Sequence, residues 1–188
     1  MTKQHLDSWD LGTGAIDDGA GIGITVGAAK LILDLNKTPR RTIRIVMFGS
    51  EEVGLIGAKA YAKKYRDRLD KHIVGAESDF GAGRIWKFDT NFAQEKLFLA
   101  ESMHKVLEPL GIGRGDNNAS GGPDIGPLRE LGVPAVTLKQ NGWDYFDYHH
   151  TADDTLDKID KSDIAQNVAA YAAFVWMAAN LNGHFRKD

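Results

Sequence analysis

Cysteine is absent from this chain of 188 residues. Its absence excludes disulfide bonds, thiolate nucleophiles and zinc sites built on sulfur, so histidine and carboxylate are the only strong metal ligands left. Long apolar runs are missing too: no uncharged run approaches the roughly 20 residues that span a bilayer, and we expect no membrane span. The net charge is −3 with both signs interspersed, and without a basic stripe we expect no nucleic-acid partner.

Length and composition predict one domain over residues 1–188, because the chain can bury a core and 43% of its residues are hydrophobic. Residues 1–4 lead into His5 without an apolar segment, so no signal peptide is expected in this numbering. Strand and helix periodicities alternate along the chain, which predicts an α/β sandwich. The predicted strands are 42–48, 72–77, 84–89 and 134–138, the helices 22–35, 55–69, 95–110, 125–131 and 161–181, and the main loops 5–21 and 111–123.

A set of acidic and histidine residues falls at the ends of predicted strands or in the loops after them: His5, Asp17, Glu51, Glu52, Asp79 and His150. Taken singly, each has a structural explanation as a surface histidine, a helix cap or a turn former. Structural roles alone do not explain why they share one kind of position. In open α/β sheets the carboxyl ends of the strands are where ligands bind.

Imidazole and carboxylate ligands suit zinc, and two metal ions about 3.5 to 4 Å apart can clamp a peptide carbonyl and activate a water. Asp17 has two carboxylate oxygens and can bridge two ions. Asp7 stands two residues after His5 and can accept the other imidazole N–H, which fixes the tautomer. Glu51 and Glu52 point apart as neighbours, so one can bind metal while the other accepts a proton.

Five ordered motifs resemble the zinc-dependent M28 family of exopeptidases: HLDSWD at 5–10, GAIDDGAG at 14–21, SEEVGLIGA at 50–58, ESDFG at 77–81 and HHTADDT at 149–155. The resemblance spans nearly the whole chain. With the GPDIGPLRELGVP segment at 122–134 and the aromatic stretch before the histidine pair, it looks most like the plasma glutamate carboxypeptidase (carboxypeptidase Q) branch. Members of that branch cleave dipeptides or remove terminal residues.

The resemblance implies a three-layer α/β/α sandwich with a mixed, mainly parallel central sheet, and two zinc ions per chain. It assigns the zinc ligands to His5, Asp17, Glu52, Asp79 and His150, with Asp17 as the bridge. Glu52 would complete the ligand set of one ion, and Asp79 with either histidine that of the other. Glu51 would be the general base and Asp7 the residue that orients the first histidine.

Two neighbouring histidines compete for the last ligand position. We choose His150 over His149 because the ligand of the family stands four residues before an Asp-Thr pair, here Asp154-Thr155. The implied substrate is a short peptide, and Tyr145, Tyr148 and His149 are candidate substrate contacts, with core packing an equal alternative for the aromatic residues. Aminopeptidase and dipeptidase or carboxypeptidase activity are not separable, since the pocket walls decide. An extracytoplasmic location is expected from the resemblance.

The short segment before His5 departs from the family, whose members carry a hydrophobic strand that runs into this histidine. Only four residues precede it here, and we expect them not to form a buried strand. The chain is then expected to lack the N-terminal portion of its catalytic domain, with His5 poorly held. An uncovered sheet edge would invite pairing with a second chain, so a homodimer is a further prediction.

Two other functions compete with peptide hydrolysis. The chain could be a non-catalytic binding or scaffold domain, or an inactive fragment of this fold, although the complete ligand set argues against lost chemistry. Acyl transfer of the glutaminyl cyclase type resembles a one-zinc site, whereas this sequence retains both ligand sets. The absence of H-E-x-x-H and G-x-S-x-G removes the single-helix zinc proteases and the serine hydrolases.

Overall fold

The computed structural model describes residues 1–187. Its strands are β1 (Thr2–His5), β2 (Ile45–Phe48), β3 (Gly75–Glu77), β4 (Ile85–Asn91), β5 (Gly113–Arg114) and β6 (Ala135–Gln140). They form one sheet in the order β2-β1-β3-β6-β4-β5. The paired strands run parallel except β4 and β6, which are antiparallel. This mixed, mainly parallel sheet with its helices confirms the predicted α/β class.

The helices are α1 (Ala20–Asp34), α2 (Ile56–Lys64), α3 (Leu97–Leu107), α4 (Gly126–Arg129), α5 (Tyr145–Tyr148) and α6 (Lys161–Asn180). Helix α6 packs against α1 and α3, and these three helices share the main core with Val136 and Leu138 of β6. Ala135 lies one residue away and so points to the other face, where it approaches the segment before α4. Helices therefore cover both faces of the sheet. Among residues 1–187 none of them is long and apolar enough to cross a membrane.

Helix α1 shows why the sequence folds this way. Its buried apolar residues Ile24, Ala28 and Ile32 recur every four positions and form one face. On the side toward α6, a Cβ at Gly27 would lie 3.0 Å from Val168 Cγ2. Gly27 therefore marks a close contact between α1 and α6.

The expectation that residues 1–4 cannot form a buried strand is wrong. All four residues of β1 are buried, and β1 pairs in parallel with β2 on one side and β3 on the other. The segment is polar, and two of its side chains contact residues elsewhere in the fold. The Lys3 ammonium lies 4.5 Å from the ring centroids of both Phe48 and Tyr61, and Gln4 Oε1 accepts the Thr25 hydroxyl at 2.7 Å. His5, expected to be poorly held, is 1% exposed.

The other predicted elements are found with shifted ends, and three details differ. The helix predicted over 55–69 stops at Lys64, and a 3-10 turn over Arg66–Lys71 follows. That turn lets Leu69 pack with Ala62 of α2. Strand β5 lies inside the predicted loop 111–123, and α5 precedes the histidine pair. Both are too short to produce a periodic pattern in the sequence.

Candidate metal centre

The parallel strands bring most of the predicted site residues to one edge of the sheet. His5 ends β1, Glu51 and Glu52 follow β2, and Asp79 follows β3. Because parallel strands share the edge at which they end, these side chains converge there. Asp17 reaches the same edge from the turn before α1, and the histidine pair reaches it from the loop after β6.

The first group of side chains surrounds the imidazole of His5. His5 Nε2 lies 3.2 Å from Asp17 Oδ1 and 3.5 Å from Asp79 Oδ1. His5 and Asp17 are buried, and the side chain of Asp79 is 7% exposed. Burial lowers the pKa of His5, but contacts with Asp17 and Asp79 outweigh it and raise that pKa to about 12. A proton on this imidazole therefore competes with any metal ion for Nε2.

The second group meets the other oxygen of the same carboxylate. Asp17 Oδ2 lies 3.4 Å from His149 Nε2 and 3.2 Å from His150 Nε2. His150 Nε2 is in turn 2.9 Å from Glu52 Oε2. The rings of the two histidines stack at 3.5 Å. Both histidines thus reach Asp17. Within the described residues, His150 also pairs with Glu52, and His149 does not.

The backbone at Asp17 is held by Asp154, a residue to which the sequence assigned no role. The Asp154 carboxylate, 2% exposed, accepts the main-chain N–H of Ile16 at 2.5 Å and that of Asp17 at 3.2 Å. Burial raises the pKa of Asp17, but the neighbouring histidines outweigh burial and the net shift is downward. Asp17 is therefore fixed as an anion between the two groups.

Asp7 makes a different set of contacts from those predicted. His5 Nδ1 lies 2.8 Å from the main-chain carbonyl of Asp7 and 3.8 Å from its carboxylate. The carboxylate instead accepts the main-chain N–H groups of Glu51 and Glu52, at 3.1 and 3.2 Å. Asp7 thus orients the imidazole through its backbone and holds the two glutamates through its side chain.

Glu51 is half-buried beside this centre. Burial raises the pKa of its carboxyl to about 7; Asp79 and Asp124 add to the rise, and His5 opposes it. A carboxyl that titrates near neutrality can take up and release a proton under ordinary conditions.

Trp9 is a site residue that sequence reasoning missed. Its indole Nε1 donates to Glu52 Oε2 at 2.8 Å, and its ring lies 5.4 Å from that of His150. Trp9 and Asp154 both stand inside motifs that carried the family resemblance, and that position was the available signal for them. Hydrogen-bonded neighbours of metal ligands set ligand orientation.

The residues predicted to contact substrate differ in burial. Tyr145 is 6% exposed and packs with Ile16 in a small core cluster, stacked on Phe80 at 4.7 Å. Core packing accounts for these contacts. Tyr148 is half-buried at the edge of that cluster, and His149 belongs to the centre itself.

The donor atoms have the chemistry of a zinc site. The ligand atoms form two groups, and within each group they lie within 4.8 Å of one another. One group is His5, Asp17 and Asp79, and the other is Asp17, His149 and His150, so Asp17 belongs to both. Glu52 Oε1 is buried without a hydrogen-bond partner among the residues described, as expected for an atom that binds an ion. Nitrogen and carboxylate oxygen without sulfur are donors that zinc accepts.

Comparison with known proteins identifies the family. The family model described as peptidase family M28 matches residues 1–175. The chain belongs to peptidase family M28. Carboxypeptidase Q of Rattus norvegicus is 32% identical over 181 residues, which cover 96% of this chain and 38% of that protein. The Homo sapiens carboxypeptidase Q gives the same identity and coverage.

A solved structure agrees with this membership. The M28 peptidase precursor of Shewanella amazonensis SB2B superposes with a TM-score of 0.96 at 55% identity, covering 99% of this chain and 42% of that one. These comparisons confirm the resemblance to the M28 family and its carboxypeptidase Q branch. The chain spans 38% of the length of the curated relatives named above.

Proposed function

We propose that this chain carries the catalytic centre of a di-zinc exopeptidase that hydrolyses short peptides or dipeptides. The observation that carries the proposal is the Asp17 carboxylate, which offers one oxygen to each of two ligand groups. His5 and Asp79 would hold one ion, Glu52 and His150 the other, with Asp17 between them. Three protein ligands per ion leave a position open for water or substrate, as catalytic zinc sites require.

Zinc, when bound, supplies the Lewis acidity that polarises a scissile carbonyl and lowers the pKa of a water. The residues of the chain supply proton transfer and positioning. Glu51 takes a proton from the attacking water and delivers it to the leaving amine. Asp7 fixes the backbone of Glu51 and Glu52, so that the base and the neighbouring ligand keep the same position relative to each other.

Zinc content tests the metal assignment. We expect plasma emission spectrometry to find about two zinc ions per chain, fewer in Glu52→Ala and His150→Ala, and about two in the matched variant His149→Ala. Loss in His149→Ala with retention in His150→Ala would reverse the choice between the histidines. A zinc-equilibrated chain that binds no zinc would overturn the proposal.

Turnover of short peptides tests the base. Glu51→Gln keeps the shape of the side chain and should retain both zinc ions while kcat falls by at least about 100-fold. The control Glu52→Gln should lose zinc and activity together. Near-full activity in Glu51→Gln with its zinc retained would remove Glu51 from the role of base.

The position of the cleaved bond is the finer part of the proposal. The relatives named carboxypeptidase Q favour removal of terminal residues, with Tyr148 and His149 as substrate contacts. Dipeptides blocked at the amino or the carboxyl end separate the activities, because an aminopeptidase needs the free amine and a carboxypeptidase the free carboxylate. An extracytoplasmic location and a single catalytic domain over residues 1–188 follow from the family resemblance, and we retain both as proposals.

A further inference from the structure

A cavity of about 610 Å³ lies at the end of the sheet opposite the metal centre. It is lined by the residues that lead into β1, β2 and β3, including Met1, Arg44 and Val74, and by the last turns of α6. The metal ligands stand at the other ends of those same strands. In other proteins, the pockets that bind small-molecule ligands have volumes of about 300 to 1,000 Å³.

The lining of this cavity is strongly basic, although the whole chain has a net charge of −3. Its charged side chains are all cationic: Arg40, Arg41, Arg44, Arg68 and Lys71. Within residues 1–187 no ion pair joins any of the five to a carboxylate. Such a concentration of one charge sign attracts counter-ions of the opposite sign.

Two of the five cations are already engaged. The Arg41 guanidinium donates to the main-chain carbonyls of Leu181 and Gly183, both at 2.7 Å. Arg40 contacts the side chain of Asn182 and the carbonyl of Asn180. These bonds satisfy main-chain carbonyls at the C-terminal end of α6 that have no partner within the helix. Arg40 and Arg41 therefore have a structural role in the wall of the cavity.

The other three cations keep donors available. Arg44 Nη1 donates to the Tyr61 hydroxyl at 2.6 Å, and the guanidinium lies 5.2 Å from the Tyr65 ring. These contacts fix its orientation and leave its other N–H groups free. The guanidinium of Arg68 and the ammonium of Lys71 have no hydrogen bond to the rest of residues 1–187.

We propose that this cavity binds a small anion with two or more negative charges, of the phosphorylated-metabolite class, through Arg44, Arg68 and Lys71. Three cations that pair with no carboxylate in the described residues favour a multivalent anion. Planar guanidinium groups present paired N–H donors that match phosphate oxygens. The volume of the cavity is in the range that small-molecule ligands occupy.

Titration calorimetry with fructose 1,6-bisphosphate at constant ionic strength tests the proposal. We expect saturable binding that weakens as salt rises, and a Kd raised at least about tenfold in Arg68→Gln, a loss of about 1.4 kcal/mol. Arg68 is suitable because its guanidinium supports no contact that folding needs. Arg44→Gln should act in the same direction.

Arg66→Gln is the matched control, since Arg66 lies on the same turn as Arg68 but outside the cavity lining. It should change Kd by less than about twofold. An equal loss of affinity in Arg66→Gln and Arg68→Gln would show that binding depends only on net charge and would overturn the site. The absence of saturable binding by the unaltered protein would also overturn it. Binding abolished in Glu52→Ala but retained in Arg68→Gln would place the anion at the metal centre and also overturn it.

Discussion

The indole of Trp9 touches two members of the metal centre at once, Glu52 by a hydrogen bond and His150 by ring contact. We expect Trp9→Phe to keep the ring contact, lose the N–H donor and weaken zinc binding by about 10- to 100-fold. Competition with a chromophoric chelator measures the change. Trp143→Phe is the control, because Trp143 is 90% exposed. Equal zinc affinity in both variants would mean that the indole N–H does not position Glu52.

At the residue scale, the sequence was sufficient to predict which side chains lie close together at one edge of the sheet, while their roles stay predictions. It predicted the residues that meet around Asp17, because the ends of parallel strands share one edge. It could not predict that Asp7 would orient His5 through its main-chain carbonyl, since a backbone contact has no residue signature. Nor could it predict that both histidines of the pair would reach Asp17, because that depends on the path of the loop after β6.

At the element scale, β1 shows the limit of pattern reasoning. The residues Thr-Lys-Gln-His contain no apolar side chain, so hydrophobic periodicity predicts no buried strand. Pairing on both edges and individual partners for Lys3 and Gln4 decide its burial instead. Those partners lie far along the chain, and a local pattern cannot reveal them.

Two glycines in α1 should respond oppositely to alanine. A Cβ at Gly23 meets no atom within 4 Å, whereas a Cβ at Gly21 would lie 1.9 Å from the Ser78 carbonyl oxygen. Gly23→Ala should raise the free energy of unfolding by about 0.5 to 1 kcal/mol, because alanine favours helix. Gly21→Ala should lower it, since backbone must move. Urea unfolding measures both, and a stabilising Gly21→Ala would contradict the close approach of α1 to Ser78, the residue that follows β3.

His72 follows the 3-10 turn after α2 and should make stability depend on pH. Burial lowers the pKa of His72, and the positive charges of Arg44 and Lys3 lower it further. The hydrogen bond to the Arg68 carbonyl opposes this shift but does not cancel it. The unfolded chain therefore binds the proton first, so this stability is present above about pH 6.5 and is lost as pH falls below it. Urea unfolding at pH 7 and pH 5 measures the effect. The free energy of unfolding should fall less between these pH values in His72→Gln than in the unaltered protein, because the variant has no imidazole to protonate. Parallel pH curves would contradict this.

At the scale of the whole molecule, metal removal should destabilise the fold. Buried acidic groups crowd the centre, and burial together with Asp79 raises the pKa of Asp18 well above its usual value. An ion that binds only the folded chain adds about 4 kcal/mol when its free concentration is a thousand times Kd. We therefore expect a chelator to lower Tm and zinc to restore it, in calorimetric scans. Calcium at the same concentration is the control, and a Tm indifferent to zinc would contradict the expectation.

The predicted homodimer also belongs to this scale and stays a prediction. Strand β1 lies inside the sheet, so the edge strands of the described sheet are β2 and β5. Met47 of β2 is 40% exposed, and an edge of this kind can pair with a second chain. Size-exclusion chromatography with light scattering should then show a mass that rises with concentration. A monomer at every concentration would contradict the prediction.

The central position of β1 also determines when the site can assemble during folding. This strand comes first in the chain, yet its two neighbours in the sheet, β2 and β3, come much later. Two long loops must close before it has a partner on each side, and such non-local pairing is slow. His5 therefore joins the acidic residues only as the sheet is completed. Zinc should bind after the rate-limiting step of folding, and its release should accompany the opening of the sheet.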